Sequence, residues 1–174
     1  MKLAVLNCDE IKPSFSEKFG QYPAMFETAL NNLDIRYNIV SYDIQKGIYP
    51  KNIAENHVYI ITGSQSAVYE KHDWLENLFE FIREINKKEI GLIGICFGHQ
   101  AIAHALGGNV EKAKSGWHIG LKPLEVQDNE LFMKRSYQLI FNHQDQVINP
   151  PSNAVCICLL YTLRAHETPA NLVC

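Results

Sequence analysis

EIGLIGICFGHQ, residues 89–100, is the most informative stretch of this 174-residue sequence. Its first part, residues 89–95, is a short apolar run typical of a strand that is buried on both faces of a parallel sheet. A helical pattern follows from residue 98. Cys96 therefore stands at a sharp turn from a strand into a helix, which is the position of the nucleophile in a nucleophile elbow.

The residues around Cys96 suit a nucleophilic thiol. Gly94 and Gly98 remove side chains at the place where the strand and the helix crowd together. The first turn of a helix presents unpaired N–H groups, which favour a thiolate, and the N–H of Phe97 can point at a developing oxyanion. In the alternative interpretation, Cys96 is a buried core cysteine and the two glycines only shape a turn.

The rest of the chain alternates short apolar runs with longer amphipathic segments. The patterns predict strands at 2–8, 36–42, 57–63, 89–95, 109–114, 118–126, 137–142 and 154–161, and helices at 23–33, 74–85 and 98–107. Strand–helix–strand alternation predicts an α/β fold with an open, mainly parallel sheet flanked by helices. The strands after the glycine pair at 107–108 are expected to extend or flank that sheet.

Composition restricts the classes of function. Charged residues make up 20% of the chain and the net charge is −3, so a nucleic-acid partner is not expected. The apolar runs have the length of strands, so neither a membrane span nor a signal peptide is expected. Five cysteines, an odd number, indicate a reducing cytoplasm rather than a disulfide framework, and their spacing predicts no metal site.

Two further segments carry polar residues at the ends of predicted strands. In the turn at 62–64, the Gly63 N–H can point toward the same oxyanion, because ligands bind at the carboxyl ends of strands in open α/β sheets. In NHQDQV, residues 142–147, His143 and Asp145 stand two residues apart and can orient one another. The first segment is alternatively a plain turn, and His143 is alternatively a surface or hydrogen-bonded structural residue.

Taken together, the segments resemble class I glutamine amidotransferase domains, in the branch similar to the amidotransferase part of GMP synthase. The stretches that carry the resemblance are FGQYPAMF (19–26), YIITGSQSAVYE (59–70), IGICFGHQAIAHALGGNV (93–110), SGWHIGL (115–121) and NHQDQV (142–147). The last of them also resembles plant γ-glutamyl peptidases, a sister group that hydrolyses γ-glutamyl bonds. The resemblance is clear to about residue 157.

The resemblance implies a flavodoxin-like fold in a single domain, residues 1–174, with a divergent tail at 158–174. It implies an enzyme that hydrolyses the side-chain amide of glutamine through a γ-glutamyl thioester, with no cofactor or metal. The ammonia is released or passed to a separate synthetase. The implied site residues are Cys96 as nucleophile, Gly63 and Phe97 as oxyanion donors, and Gln100, Ser115, Gly116 and Trp117 as glutamine-binding residues.

The sequence departs from the family at the catalytic base. The family completes its triad with His and Glu in a late Gly-His-Pro-Glu motif, which this sequence lacks. His166 and Glu167 are adjacent, without the intervening proline, and form one candidate pair of base and orienting group; His143 is the alternative base. We therefore expect a truncated or divergent tail and impaired hydrolysis.

Two other functions stay open from the sequence. One is a γ-glutamyl peptidase-like hydrolase, and the other is a catalytically inactive domain that binds glutamine or a partner. The missing motif favours the inactive domain, whereas the intact elbow favours an enzyme. An unrelated flavodoxin-like binding domain is disfavoured, because it would need neither GxCxGxQ nor a paired oxyanion loop.

Overall fold

The structure is a computed structural model that describes residues 1–31, 36–126 and 136–156, and the backbone of residues 158–160. The chain divides into two compact units, Met1–Ala101 and Ile102–Cys174. The single domain expected over the whole sequence stays a prediction. Within the described ranges, no helix is long and apolar enough to cross a membrane.

The first unit is built on a four-stranded parallel sheet. Its strands are β1 (Lys2–Asn7), β2 (Asn38–Asp43), β3 (Val58–Ile61) and β4 (Gly91–Gly94), and its helices are α1 (Pro13–Phe19), α2 (Tyr22–Leu30), α3 (Asp73–Lys87) and α4 (Phe97–Ala105), the last of which ends in the second unit. The strands stand in the order β2-β1-β3-β4, and each neighbouring pair is parallel. Because parallel strands share one carboxyl edge, the residues that follow β1, β3 and β4 gather there.

The apolar patterns read from the sequence account for the core of this unit. Leu3 to Leu6 of β1 and Tyr59 to Ile61 of β3 are buried, as expected for strands covered on both faces. α3 buries one side, formed by Leu75, Leu78, Phe79, Ile82 and Ile85. The helical face predicted within residues 74–85 is therefore confirmed.

The turn from β4 into α4 requires glycine at two positions. A Cβ atom on Gly94 would lie 2.5 Å from the carbonyl carbon of Gly98, and a Cβ atom on Gly98 would collide with the carbonyl oxygen of Ile61. Between the two glycines, Cys96 has a φ of 54°, a left-handed conformation that residues other than glycine rarely adopt. The strand, tight turn and helix thus follow one another in the predicted order, and the catalytic role of the turn stays a prediction.

The second unit contains antiparallel strands. They are β5 (Asn109–Lys112), β6 (His118–Val126), β7 (Ser136–His143), β8 (Asp145–Asn149) and β9 (Cys158–Leu160). β5 pairs with β8, and β7, β6 and β9 form a three-stranded sheet in that order. Among the described residues, the later strands thus form sheets of their own, and parallel pairing is confined to the first unit.

Two histidines face each other across β6 and β7. His118 and His143 are register partners, and their rings stack with centroids 5.4 Å apart. The Lys122 ammonium lies 3.4 Å from Nδ1 of His118, so that nitrogen accepts, and Nε2 donates to the Ser115 hydroxyl at 3.1 Å. Burial lowers the pKa of both imidazoles, and the charge of Lys122 lowers it further. The fold therefore favours the neutral form of both imidazoles.

Replacing Gly98 by alanine is expected to destabilise the first unit severely. The new methyl group collides with the main chain of Ile61, which cannot rotate away as a side chain can. We expect a loss of about 3 kcal/mol or more in the free energy of unfolding. Urea unfolding followed by circular dichroism measures this loss.

Gly91→Ala is the matched control, because it adds the same methyl group within β4. The nearest atom to that methyl is Cγ2 of Val58 at 3.1 Å, which belongs to a side chain that can shift. The control is expected to lose less than about 1 kcal/mol. Equal losses in the two variants would contradict the importance of the approach of Gly98 to Ile61.

The histidine pair predicts a loss of stability in mild acid. The pKa of each imidazole is lower in the folded chain than in the unfolded chain, where it is about 6.5. The unfolded chain therefore binds more protons, so the stabilisation is complete above about pH 6.5 and is lost as the pH falls below that value. Thermal unfolding at a series of pH values from 7.5 to 5 should show the midpoint falling by several degrees.

The variant His143→Gln should flatten that pH dependence, because it removes one of the two imidazoles that resist protonation. His72→Gln is the control, since His72 is exposed at the surface beside Glu70. The assignment is wrong if His143→Gln and the wild-type chain lose stability in parallel over this range.

Candidate functional site

Cys96 lies on the exposed surface at the carboxyl end of β4, immediately before the first residue of α4. The main chain on both sides of it is fixed by hydrogen bonds. The Ile95 N–H donates to the Ile61 carbonyl at 3.0 Å, and the Gly98 N–H donates to the Ile95 carbonyl at 3.0 Å. Cys96 is therefore an exposed residue of a turn that is tied to the end of β3.

Gly63 lies beside Cys96. A Cβ atom placed on Gly63 would be 3.9 Å from Cβ of Cys96, which is ordinary contact distance. The preceding residue, Thr62, is buried; its N–H donates to the Leu6 carbonyl at 3.2 Å, and its hydroxyl accepts from the Cys8 N–H at 2.9 Å. The structure thus brings together the two segments that the sequence analysis paired, whereas the oxyanion role of Gly63 stays a prediction.

Phe97 and Gln100 lie on the first turns of α4, and both are buried. The Phe97 ring packs against Trp74 at a centroid distance of 5.8 Å, which anchors the helix start to α3. The Gln100 N–H donates to the Cys96 carbonyl at 3.2 Å, so the helix begins directly after the thiol. A thiolate at this position faces the positive end of the helix dipole.

The two described cysteines of the first unit differ sharply in their surroundings. Cys8, directly after β1, is completely buried, and that burial raises the pKa of its thiol to about 12. Cys96, after β4, is exposed. The alternative interpretation of Cys96 as a buried core cysteine is therefore wrong, and Cys8 is the cysteine of that kind.

Tyr22 also belongs to this site, and the sequence analysis assigned it no role. Its hydroxyl oxygen lies 3.9 Å from the same Cβ position on Gly63 that contacts Cys96. The signal in the sequence is Gln21-Tyr22-Pro23, a tyrosine in the first turn of a helix that starts next to the sheet edge. Periodicity cannot reveal such a residue, because it belongs to no apolar face.

The predicted glutamine-binding segment at 115–117 lies in the second unit. The Gly116 N–H donates to the Ala113 carbonyl at 2.9 Å, and Gly116 has a φ of 82°, so the segment is a tight turn before β6. The Ser115 hydroxyl is bound to His118, and the Trp117 side chain is 61% exposed. The roles of these three residues in binding stay predictions.

Of the candidate bases, the structure describes only His143. His143 ends β7, and its Nδ1 lies 3.0 Å from the main-chain carbonyl oxygen of Asp145. A carbonyl oxygen only accepts, so Nδ1 carries the proton and the backbone of Asp145 orients the ring. His166 and Glu167 lie outside the described residues. In the described part of the chain, no cluster of His, Cys, Asp and Glu is suited to hold a metal ion.

Comparisons with known proteins connect this arrangement to one family. The sequence profile of the family described as "Glutamine amidotransferase class-I" matches residues 17–164. Among curated proteins, the chain is 27% identical to γ-glutamyl peptidase 4 of Arabidopsis thaliana, over 92% of this chain and 68% of the peptidase. It is 30% identical to the glutamine-hydrolysing GMP synthase of Limosilactobacillus reuteri, over 86% of this chain and 28% of the synthase.

Among solved structures, a glutamine amidotransferase from Thermotoga maritima superposes with a TM-score of 0.73 and 26% identity, over 90% of this chain and 66% of that protein. The chain thus spans about two thirds of the length of the peptidase and of the bacterial amidotransferase. The superposition confirms the expected flavodoxin-like fold with a parallel sheet flanked by helices. With 148 consecutive residues matched by the family profile, the chain belongs to the class I glutamine amidotransferase family.

Proposed function

We propose that this chain hydrolyses a γ-glutamyl amide, with glutamine as the first candidate substrate and Cys96 as the nucleophile. The observation that carries the proposal is the exposed Cys96, held at a φ of 54° beside Gly63 in a member of this family. A strained main chain at a non-glycine residue persists only where the surrounding structure enforces it, and such residues cluster at active sites. Here Gly94, Gly98 and Ile61 enforce it.

The reaction consists of two transfers of the γ-glutamyl group. In the first, a base takes the proton of the Cys96 thiol, and the sulfur forms a bond to the γ-carbonyl carbon. The carbon–nitrogen bond then breaks, the nitrogen receives the proton and ammonia leaves, so that a γ-glutamyl thioester remains on Cys96. In the second, water adds to the thioester, the carbon–sulfur bond breaks, the proton returns to sulfur and glutamate leaves.

Both transfers pass through a tetrahedral intermediate whose negative oxygen needs hydrogen-bond donors. Main-chain N–H groups are suited to this task, because they are positioned before the reaction and need no reorganisation during it. We assign the donors to Phe97, at the first position of α4, and to Gly63, which lies beside Cys96. The absence of a side chain at Gly63 keeps the space between it and Cys96 open to a substrate oxygen.

The catalytic base is the part of the site that departs from the family, and this departure lowers the expected turnover. The sequence carries no Gly-His-Pro-Glu motif, so the base is assigned to His166 with Glu167, or alternatively to His143. General acid–base catalysis is worth roughly 100-fold to 10,000-fold, so an ill-placed base slows both transfers. The thioester step suffers more, because the helix start that favours a thiolate does not activate a water molecule.

A γ-glutamyl peptide is the second candidate substrate. It is favoured by the similarity to γ-glutamyl peptidase 4 over 92% of this chain. The chemistry at sulfur is the same, and only the leaving group changes from ammonia to a peptide amine. With glutamine as substrate, the ammonia is released or passed to a separate synthetase, as the similarity to GMP synthase suggests. A reactive thiol also fits the reducing cytoplasm expected from the cysteine content.

Cys96 is expected to be the first thiol to react with a small alkylating agent. Limited treatment of the native chain with iodoacetamide, followed by peptide mass spectrometry, measures the order of labelling. Cys8 should be labelled last of the three described cysteines, because it is buried and its thiol has a pKa raised to about 12. Labelling in denaturant, where all thiols are accessible, is the control. Preferential modification of Cys8 over Cys96 would sink the assignment.

Ammonia release from glutamine by the purified chain is expected to be slow and to depend on Cys96. The measurement compares the wild-type chain with Cys96→Ala, His143→Ala and His166→Ala, and Cys156→Ser serves as a thiol control outside the proposed chemistry. A rate that Cys96→Ala removes and Cys156→Ser leaves intact supports the proposal. A wild-type rate equal to that of Cys96→Ala for both glutamine and a γ-glutamyl dipeptide would instead identify the inactive binding domain.

The two histidine variants locate the base. Rapid turnover abolished by His166→Ala alone would assign the base to His166 and Glu167, and would show that hydrolysis is not impaired. Loss in His143→Ala alone would assign it to His143, whose Nε2 is then the proton acceptor because Nδ1 is engaged with the Asp145 carbonyl.

A further inference from the structure

Tyr22 is a side chain of the site that neither the sequence analysis nor the proposed mechanism uses. It is the first residue of α2, and its side chain is half-buried. Its hydroxyl oxygen and the Cβ atom of Cys96 both lie 3.9 Å from one point, the Cβ position on Gly63. The phenol therefore borders the same open space as the thiol and the assigned oxyanion glycine.

The position of Tyr22 is fixed by the residue before it. The Gln21 side chain accepts a hydrogen bond from the Ile11 N–H at 2.8 Å and donates one to the Ile11 carbonyl at 3.0 Å. The Gln21 side chain thus bonds both the N–H and the carbonyl of one residue, as a neighbouring strand does. These two bonds connect the start of α2 to the segment that follows β1. Pro23 then stands in the first turn of the helix, where its fixed φ is favourable.

A glycine and a carboxylate complete the support around Tyr22. Gly20 has a φ of 77° and a ψ of −178°, a combination essentially restricted to glycine, and it lets the chain turn from α1 into α2. Asp9 accepts hydrogen bonds from the N–H groups of Glu10 and Gln65, each at 2.8 Å, and so joins the segment after β1 to the loop that contains Gly63. Hydrogen bonds of the Gln21 and Asp9 side chains thus fix the main chain before Tyr22 and the loop that contains Gly63.

The Tyr22 hydroxyl is available as a hydrogen-bond donor. Three other tyrosines of this unit use their hydroxyls inside the protein, whereas within the described ranges Tyr49 does not: Tyr37 bonds to Asn31, Tyr42 to Glu55, and Tyr59 to the Ile53 carbonyl. The Tyr22 hydroxyl has no such bond among the described residues. Burial raises the pKa of its phenol, and the negative charges of Asp9 and Cys96 raise it further, so the proton stays on oxygen.

We propose that Tyr22 is a substrate-binding residue, whose hydroxyl donates a hydrogen bond to an oxygen atom of the γ-glutamyl group held between Gly63 and Cys96. This proposal rests on the proposed function, since it presumes a γ-glutamyl substrate at Cys96. A donor next to a nucleophilic thiol suits a ligand rich in acceptor oxygens, which the carbonyl and carboxylate of that group supply. The bond binds and orients the substrate but takes no part in activating the thiol.

The test compares two reagents that both alkylate Cys96. The diazoketone analogue of glutamine carries the glutamyl group, and iodoacetamide carries none. Tyr22→Phe removes only the hydroxyl and is expected to slow inactivation by the glutamine analogue about tenfold, the size of one hydrogen bond. Its rate with iodoacetamide should stay within about twofold of the wild-type rate, because the thiol itself is unchanged.

Tyr37→Phe is the matched control. It also removes one tyrosine hydroxyl that is bonded to α2, through the Glu27 carbonyl and Asn31, but away from Gly63. This variant should react like the wild-type chain with both reagents. Peptide mass spectrometry confirms in each case that the modified residue is Cys96.

The remaining outcomes separate this proposal from the proposed function. If Tyr22→Phe slows both reagents equally, Tyr22 acts on the thiol or on the fold, and the proposal is overturned. If it slows neither while the wild-type chain prefers the glutamine analogue, only the assignment of Tyr22 fails. If the wild-type chain shows no such preference and free glutamine gives Cys96 no protection, the proposed function and the assignment of Tyr22 fail together.

Discussion

The close approach of α4 to the end of β3 is the constraint on which the candidate site depends. Gly98 lies against the main-chain carbonyl of Ile61 so tightly that no side chain fits between them, and Gly94 lies equally close to Gly98 from the other side. Because the positions of Gly94 and Gly98 are both fixed, the strained main-chain conformation occurs at Cys96, in the middle of the turn. Cys96 therefore has a positive φ, and it is exposed at the surface.

A second layer of contacts keeps the loops at this edge in place. In these contacts, main-chain N–H groups donate hydrogen bonds to side-chain oxygens of Asp9, Gln21 and Thr62. Parallel strands leave their final N–H and carbonyl groups without partners, and buried groups of that kind are costly. By satisfying them with side chains, the chain obtains an edge that is polar, fixed and free of bulky residues at Gly63. A site of this type needs all three properties, since a substrate oxygen must replace water at donors that do not move.

The sequence was sufficient for those parts of the structure that depend on local pattern. The apolar runs predict β1, β3 and β4, the periodic face predicts α3, and the two glycines of the GxCxGxQ segment predict the tight turn. The burial predicted for β4 on both faces is wrong, since the side chain of Ile93 is 50% exposed. α1 could not be predicted, because it buries no residue and so has no apolar period. β8 could not be predicted either, because it starts inside the polar segment 142–147 and is paired with β5 from far along the chain.

The candidate site, too, was predictable only where it depends on local sequence pattern. Cys96 and Gly63 were found because turns and strand ends have recognisable sequences. Tyr22 was not, because its importance lies in a long-range proximity to Gly63 that no spacing encodes. His143 illustrates the opposite problem. The sequence analysis paired it with Asp145, but the atom that orients the ring is the main-chain carbonyl of that residue, which any residue type would supply.

The contrast between Cys8 and Cys96 shows what the fold adds to a shared chemistry. Both residues directly or closely follow a parallel strand at the same edge of one sheet, so neither position nor residue type separates them. Cys8 follows β1, the more central strand, where its thiol is enclosed and donates to the Leu6 carbonyl at 3.5 Å. Cys96 follows β4 and lies exposed immediately before the first residue of a helix. Desolvation penalises a thiolate in the first position, and the helix start favours it in the second. The nucleophile that we propose at this sheet edge thus depends on the strand that leads into a helix, so the glycines that permit that turn matter to the proposal as much as the cysteine itself.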